Sequence, residues 1–361
     1  MKTHEKTLIT FNEKFKQYNL GKNHPFQGDR FANAMNFFKE RGLPGFPGVT
    51  LLKPEPATFA DILRVHDMDY VDCVLQMAKE NKPYDVETPV SEEIIEASLL
   101  IAGGAIKCSE TVYTEKAEQG ISLGSGYHHA GRNYGGGFCI FNDIAVSVEY
   151  LRAKCGAKRF LILDYDVHFG NGTSDIYYDD PNILHISLHQ DPESFYPETG
   201  FVWQIGKGKG KGYNVNVPLP AGTGDATYLH ALNEVFVPLA KEFKPEIIIG
   251  NGGSDAHFAD ALGGLRLTVN GLFEVSRLIK NAAKSTCNGK VVMMIGSGYN
   301  AKVLPLCWFA LIAGAVGLHE INIKEPYSAP KELPQCRRIV DETIDQLKRL
   351  LSPQWSCFSS S

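Results

Sequence analysis

Short apolar runs rich in β-branched residues alternate with amphipathic stretches of helical period along most of this 361-residue chain. That alternation is typical of a parallel β-sheet covered by helices, because parallel strands are joined by crossovers that are usually helical. The clearest predicted strands cover 120–123, 159–166, 183–189, 213–219, 246–250 and 291–295. Predicted helices cover 30–41, 91–114, 142–154, 225–243, 270–284, 301–318 and 334–350. The sequence therefore predicts an α/β fold.

No segment rich in Pro, Ser or charge divides the chain, and no internal repeat is present. We therefore expect a single domain over 1–361, with a core over about 20–320 and a C-terminal helix within 333–352. The polar tail over 353–361 is expected to fray.

Composition and charge exclude several classes of protein. With 43% hydrophobic and 21% charged residues, the chain is typical of a folded globular protein. A net charge of −5 gives no reason to expect nucleic-acid binding. The one local exception is Lys207, Lys209 and Lys211, which alternate with glycine and are expected to form a solvated loop rather than an anion site. The absence of an apolar signal run and of ~18 consecutive apolar residues predicts a cytoplasmic protein without membrane attachment. Eight cysteines without a Cys-x-x-Cys pair predict reduced thiols, and no feature indicates an oligomeric state.

Polar residues collect directly after four of the predicted strands. The ligand crevice of an open parallel sheet lies beyond the carboxyl ends of its strands, so these segments are expected at one rim. They are Gly124-Ser125-Gly126-Tyr127-His128-His129-Ala130, Asp164-Tyr165-Asp166-Val167-His168, Asn251-Gly252-Gly253-Ser254-Asp255-Ala256-His257 and Gly296-Ser297-Gly298-Tyr299-Asn300.

The second of these segments has the spacing of a metal site. Side chains alternate along a strand, so Asp164, Asp166 and His168 project to one face, about 7 Å between successive members. Asp166 and His168 can then bind one ion with Asp164 behind them, although a lone Asp-x-His pair also fits a hydrogen-bonded turn. A catalytic zinc takes three protein ligands, and Asp255 is the best third candidate, with His257 as its competitor. Zinc and Fe(II) both accept two aspartates and one histidine.

The adjacent histidines His128 and His129 lie in a glycine-rich setting that brings backbone close to a ligand. One imidazole can serve as general base and the other as an electrostatic or acid partner. Isolated histidines are, however, more often satisfied core or surface residues.

Aromatic residues are further candidates: Tyr299 after the strand 291–295, Phe138 after a run of three glycines, and Phe195-Tyr196 after the strand 183–189. Tyr299 can donate a hydrogen bond to an oxyanion opposite the metal, or pack on the end of the sheet. Phe138 and the pair Phe195-Tyr196 can form two walls of a narrow apolar slot, or serve as ordinary core residues.

Five motifs in order resemble those of the histone deacetylase superfamily, which includes bacterial and archaeal deacetylase-like proteins, acetoin-utilisation proteins and acetylpolyamine amidohydrolases. The motifs are His128-His129-Ala130, Gly137-Phe138-Cys139-Ile140-Phe141-Asn142-Asp143, Asp164-Tyr165-Asp166-Val167-His168, Asp255-Ala256-His257 with Leu262-Gly263-Gly264, and Gly298-Tyr299-Asn300. The resemblance extends from about His24 to about Leu318.

The resemblance implies an arginase/deacetylase-like three-layer fold with a central, mainly parallel eight-stranded sheet. It implies one zinc ion per chain on Asp166, His168 and Asp255. It also implies the following catalytic residues: the imidazoles of His128 and His129, Asp164 and Asn171 behind them, and Tyr299 toward the acetyl carbonyl. By the same resemblance, the substrate tunnel is lined by Gly137, Phe138, Tyr196 and Leu262, with Arg30 at its foot. Phe195 is added as a substrate-binding candidate from the aromatic-slot argument. Potassium is expected on Asp164, Asp166, His168, Ser187 and Leu188, and a second potassium near Tyr177, Asp180, Ile183 and Tyr213.

The chain departs from the family pattern at four positions. Asn171 resembles the class II pattern, so His129 would be held less strongly as a cation. Phe169 replaces a second histidine, Tyr196 a tunnel phenylalanine and Ala261 a proline. Because no metal ligand is lost, the departures bear on substrate preference.

The resulting prediction is a zinc-dependent amidohydrolase that removes acetyl, or another short acyl group, from the ε-amine of lysine in proteins or peptides. An alternative substrate is an acetylated polyamine or another small amide. A binuclear arginase-like hydrolase needs an Asp-x-His-x-Asp run, and the segment from Asp255 to Asp260 is one residue too long for it. The remaining alternative is a non-catalytic module that binds acyl ligands.

Overall fold

The structure, a computed structural model, describes residues 6–359. Its strands form one eight-stranded sheet in the order β2-β1-β3-β8-β7-β4-β5-β6, and every pairing is parallel. The strands are β1 Thr7–Thr10, β2 Val49–Leu52, β3 Gln119–Leu123, β4 Phe160–Asp164, β5 Ile183–Gln190, β6 Asn214–Leu219, β7 Ile247–Gly253 and β8 Val291–Ser297. The predicted α/β fold and eight-stranded sheet are therefore confirmed.

Helices cover both faces of the sheet, which is why β3, β4 and β7 are buried along their whole length and read as apolar runs. The helices are α1 Asp29–Glu40, α2 Phe59–Ile62, α3 Met68–Glu80, α4 Glu92–Tyr113, α5 Asp143–Cys155, α6 Asn171–Tyr177, α7 Asp225–Ala231, α8 Val237–Phe243, α9 Val269–Thr286, α10 Leu304–Val316 and α11 Cys336–Leu351. In one layer α4 packs on α5, and in the other α10 packs on α1 and α9. No helix within residues 6–359 is long and apolar enough to cross a membrane.

The register of the central strands determines where the polar segments meet. Strand β4 lies between β5 and β7, so that Asp164 is paired with Ser187 on one side and Asn251 on the other. Strand β8 lies between β3 and β7. The ends of β3, β8, β7 and β4 are therefore neighbours, as the strand-end argument predicted.

Several elements differ from the prediction. Strands β1 and β2 and helices α2, α3 and α6 lie outside the predicted elements. The predicted helix 225–243 contains a π-helical turn, Leu232–Phe236, between α7 and α8. The helix predicted from 301 begins at Leu304, after a turn in which the Val303 N–H donates to the Asn300 carbonyl at 3.1 Å.

The prediction that the tail frays over 353–361 is wrong for 353–359. Trp355 is only 4% exposed, and its indole N–H donates to the Gly212 carbonyl at 2.7 Å. The N–H groups of Ser356 and Cys357 donate to the Glu242 carboxylate at 2.8 and 2.7 Å. Residues 360–361 lie outside the described part of the chain. All eight cysteines are free.

Candidate active site

Three buried side chains meet at the ends of β4 and β7. Asp166 and His168 follow β4 and Asp255 follows β7, and one potential ligand atom of each lies within 4.8 Å of the other two. His168 Nδ1 is 3.1 Å from Asp166 Oδ1 and 3.5 Å from Asp255 Oδ2. Among residues 6–359 this is the only group of at least three His, Cys, Asp or Glu side chains that is arranged to hold a metal ion.

The chemistry of this triad fits a cation. Asp255 Oδ2 is buried without a hydrogen-bond partner among the described residues. Burial and the charge of Asp166 raise the pKa of Asp255 above its ordinary value, so negative charge on Asp255 is disfavoured here. A bound cation would offset that charge and satisfy Oδ2.

His257, the competing third ligand, points elsewhere. Its Nε2 is 3.1 Å from Glu325 Oε2, and its Nδ1 accepts the N–H of Ala259 at 3.2 Å. The side chain is fully buried in that position. Asp255 is therefore the third member of the group.

His128 is held by a carboxylate that is itself fixed. Its Nδ1 is 2.7 Å from Asp164 Oδ2, and its Nε2 is 3.8 Å from Asp166 Oδ1. Asp164 Oδ1 accepts from the Asn251 amide at 3.1 Å and from the Asp166 N–H at 3.2 Å. Burial opposes a charge on His128, but Asp164 and Asp166 outweigh it and raise the pKa of His128 to about 9.

His129 has a neutral partner. Its Nδ1 is 2.6 Å from Asn171 Oδ1, and its ring centroid is 4.1 Å from that of His128. Burial, together with the nearby charge of His128, holds the pKa of His129 well below its ordinary value. Two adjacent imidazoles thus differ in protonation, and the neutral one is the better proton acceptor.

A cavity of about 700 Å³ opens beside this cluster. Its walls include His129, Gly137, Phe138, His168, Phe195, Tyr196, Leu262 and Tyr299. Phe195 stacks on His168 with centroids 4.8 Å apart and ring planes at 14°. On another side Phe138 meets Tyr299 edge-on, with centroids 5.7 Å apart. The aromatic residues singled out from the sequence therefore do form the walls of one slot.

Any residue other than glycine at position 137 would disturb this wall. Its φ is +52°, and a Cβ there would lie 2.5 Å from His129 Cδ2 and 2.8 Å from the Tyr196 hydroxyl. The glycine thus allows Phe138 and His129 to approach the same slot.

Arg30 lies behind Tyr299, outside the wall of this cavity. Its guanidinium donates to the carbonyls of Gly296, Pro25 and Gln27, each at 3.2 Å, and lies 5.4 Å from the Tyr299 ring centroid. It borders a separate cavity of about 240 Å³. The structure therefore places Arg30 next to Tyr299 but not among the residues lining the slot.

The residues expected to bind potassium lie on neighbouring strands. Asp164 and Ser187 are paired in the sheet, and Leu188 is the next residue of β5. Ser187 Oγ is 2.8 Å from His189 Nδ1, and the Leu188 carbonyl accepts from the Tyr228 hydroxyl at 3.5 Å. At the second expected potassium site, the Arg152 guanidinium forms an ion pair with Asp180 Oδ2 at 2.7 Å. Potassium at both places stays a prediction.

Three positioning residues were missed by sequence reasoning. Asp143 accepts the N–H groups of Gly126 and Tyr127 at 3.0 and 2.9 Å and so fixes the loop that carries the histidine pair. Asn251 holds Asp164, and Asp260 accepts the Tyr299 N–H at 2.6 Å. Asp143 and Asn251 lie inside segments already singled out, so a search for hydrogen-bonding residues within those segments would have found them.

Comparison with known proteins agrees with this geometry. Residues 24–315 match the model of the histone deacetylase domain. The chain is 35% identical over 359 residues to a probable deacetylase of Archaeoglobus fulgidus, covering 98% of this chain and 99% of that protein. It is 34% identical over 313 residues to the acetoin utilization protein AcuC of Staphylococcus aureus, covering 84% and 80% of the two chains.

A solved structure shows the same likeness in three dimensions. The crystal structure of the HDA15 HD domain superposes with a TM-score of 0.85 at 28% sequence identity, covering 98% of this chain and 97% of that one. The family match covers most of the chain, including every strand from β3 to β8. The chain therefore belongs to the histone deacetylase family and is an amide hydrolase of that family.

Proposed function

We propose that this protein is a zinc-dependent deacetylase that removes acetyl, or another short acyl group, from the ε-amine of lysine in proteins or peptides. One observation carries the proposal. The buried group Asp166, His168 and Asp255, in which Asp255 Oδ2 has no hydrogen-bond partner, reaches through His168 an aromatic-lined cavity that also presents His129 and Tyr299. Two carboxylates and one imidazole match the three protein ligands of a catalytic zinc site.

The side chains around the site have separate roles in hydrolysis. Bound zinc would supply Lewis acidity, which favours loss of a proton from water and polarises an amide carbonyl. His129, neutral and held at Nδ1 by Asn171, accepts the proton of the attacking water at its other ring nitrogen. The Tyr299 hydroxyl donates to the carbonyl oxygen as negative charge develops on it. The C–N bond then breaks, a proton returns from a histidine to the amine, and acetate and a free amine leave.

The residues that line the slot support a lysine side chain as the substrate group. Phe138, Phe195 and Tyr196 form apolar walls suited to a chain of methylene groups. At the mouth, Val86 is 98% exposed and Tyr196 is 43% exposed. Exposed apolar side chains around a binding cavity favour contact with a larger partner, such as the main chain of a peptide.

A small acetylated amine is the alternative substrate. Glu87 also lines the mouth of the cavity and would attract the second, cationic end of an acetylated polyamine. The relative kcat/KM for an acetyl-lysine peptide and for acetylputrescine separates the two substrate classes.

The test is metal removal followed by reconstitution with zinc or Fe(II), using acetate release from acetyl-lysine peptides as the readout. We expect loss of activity with a chelator and recovery at about one zinc per chain. A series of longer acyl groups on the same peptide would measure the depth of the slot. Demetallated protein that hydrolyses the peptide at the original rate would rule the proposal out.

We also propose potassium at Asp164, Ser187 and Leu188. The support is that the buried residue Asp164 is paired with Ser187 across β4 and β5, with Leu188 next along β5, and oxygen atoms are the ligands that hard cations prefer. Activity measured in KCl and in choline chloride of equal ionic strength tests this site, since only a bound ion makes the two salts differ.

A further inference from the structure

The amide of Asn171 can face His129 in two orientations, and only one is productive. An asparagine presents an oxygen that accepts and an NH₂ that donates. With Oδ1 at 2.6 Å from His129 Nδ1, the imidazole carries its proton on Nδ1 and leaves Nε2 free to accept another. A flipped amide would donate to Nδ1 and force the proton onto Nε2. An aspartate at this position has two equivalent oxygens and would not present that choice.

Tyr134 decides between the two orientations. Its hydroxyl donates to the carboxylate of Asp175, and its oxygen accepts from Asn171 Nδ2 at 3.4 Å. Because an ionised carboxylate can only accept hydrogen bonds, the Tyr134 hydroxyl must donate its proton in the bond to Asp175. The Tyr134 hydroxyl oxygen can therefore only accept a hydrogen bond from Asn171. This favours the orientation in which the Asn171 NH₂ points toward Tyr134 and Oδ1 points toward His129.

The local structure holds these residues in register. Asn171 and Asp175 are four residues apart on α6 and so share one face of the helix. The Tyr134 ring packs over Gly131, where a Cβ would lie 2.3 Å from Tyr134 Cε1. The Gly131 N–H also donates to the Tyr134 carbonyl at 2.9 Å. The tyrosine is thus seated on the loop that follows the histidine pair.

We propose that Tyr134, held by Asp175, is a positioning residue that fixes the amide of Asn171 and thereby the tautomer of His129. This inference rests on the proposed function, in which His129 accepts a proton from water. Tyr134 is not among the residues that line the cavity, so it acts through Asn171.

The kinetic test compares Tyr134→Phe in two backgrounds, the wild type and Asn171→Asp, with zinc-loaded protein and an acetyl-lysine peptide. In the Asn171 background we expect kcat to fall by about three- to tenfold with KM changed less than about twofold, as loss of one orienting hydrogen bond allows. In the Asn171→Asp background, kcat should change by less than about twofold, because a carboxylate needs no orientation. Tyr327→Phe, at an exposed tyrosine, is the matched control. An equal loss in both backgrounds, or none in either, would overturn the inference.

A second readout does not depend on turnover. In protein labelled with ¹⁵N-histidine, the ¹⁵N shifts of His129 report which ring nitrogen carries the proton. Both Tyr134→Phe and Asp175→Ala should raise the Nε2-protonated fraction, the latter because the freed Tyr134 hydroxyl can then donate to Asn171 Oδ1. An unchanged tautomer in both variants refutes the inference. A wild type that hydrolyses no acyl-lysine amide yet shows these tautomer shifts would instead reject the proposed function and retain the positioning role.

Discussion

The backbone N–H of Tyr299 donates to Oδ2 of Asp260 at 2.6 Å, which ties the loop after β8 to the loop after β7. The other carboxylate oxygen of Asp260 accepts the N–H of Leu262 at 3.0 Å. Tyr299 and Leu262 both line the cavity, whereas Asp260 does not. One buried carboxylate therefore places two wall residues, and with them the phenol proposed to meet the substrate carbonyl.

Replacing Asp260 tests this arrangement. Asp260→Ala removes both acceptors, and we expect kcat/KM on an acetyl-lysine peptide to fall by about ten- to a hundredfold, because small displacements of reacting groups are costly. Zinc content measured on the same samples should stay unchanged. Asp260→Asn keeps one acceptor and should give an intermediate loss. Full activity of the alanine variant would show that Tyr299 needs no such support.

Tyr299→Phe removes the hydroxyl and keeps the ring that packs against Phe138. We expect kcat to fall by about a hundredfold or more, the usual cost of one oxyanion donor, with little change in KM. Steady-state kinetics on an acetyl-lysine peptide measures both constants, and Tyr327→Phe controls for a general effect of removing a phenol. An unchanged kcat would refute the role of Tyr299.

Asp255→Asn should affect stability in opposite directions with and without metal. In the metal-free protein the substitution removes a buried charge beside Asp166, so the free energy of unfolding should rise by about 1 kcal/mol. Zinc at a hundred times its Kd should stabilise the wild type by about 2.7 kcal/mol and the variant much less. Urea unfolding with zinc and with a chelator measures all four values, with the exposed substitution Glu342→Gln as control. Equal stabilisation of both proteins by zinc would contradict a ligand role for Asp255.

The sequence was sufficient to single out Asp164, Asp166 and His168, because all three lie at or directly after the end of one buried apolar strand. The strand ends at Asp164, so alternation along a strand does not account for the positions of Asp166 and His168. It favoured Asp255 over His257, but it could not exclude His257, because the two residues follow the same strand two positions apart. The choice depends on Glu325, whose carboxylate holds the His257 ring from 68 residues further along the chain. Asp260 was missed for a similar reason, since its partner Tyr299 is distant in sequence.

The same distinction applies to the fold. Most central strands are apolar runs that can be recognised from the sequence alone. Strands β1 and β2 have only four residues each, and they are defined mainly by the pairing of β1 with β2 and with β3. The tail was expected to fray because its sequence is polar. Its order comes from Gly212 and Glu242, more than a hundred residues away, which bind Trp355 and the backbone after it.

His66, which is not a member of the metal triad, gives the protein a separate sensitivity to acid. Its Nε2 accepts the N–H of Asn142 at 2.9 Å, and burial lowers the pKa of His66 to about 4. In the unfolded chain a histidine titrates near 6.5, so between these values the unfolded state binds the extra proton. The contribution of His66 is therefore fully present above pH about 6.5 and is lost progressively toward pH about 4, by at most about 3 kcal/mol.

His66→Gln, which retains an acceptor but does not titrate, should unfold at lower urea concentration at pH 7.5 yet lose less stability on acidification. Unfolding is measured in chelator from pH 7.5 to 4, so that metal release does not contribute to the difference between the two proteins. His319→Gln, at an exposed position, is the control for removing a histidine. If wild type and His66→Gln show parallel pH dependence, the acid sensitivity must come from other groups, because the difference between the two slopes counts the proton bound by His66 alone.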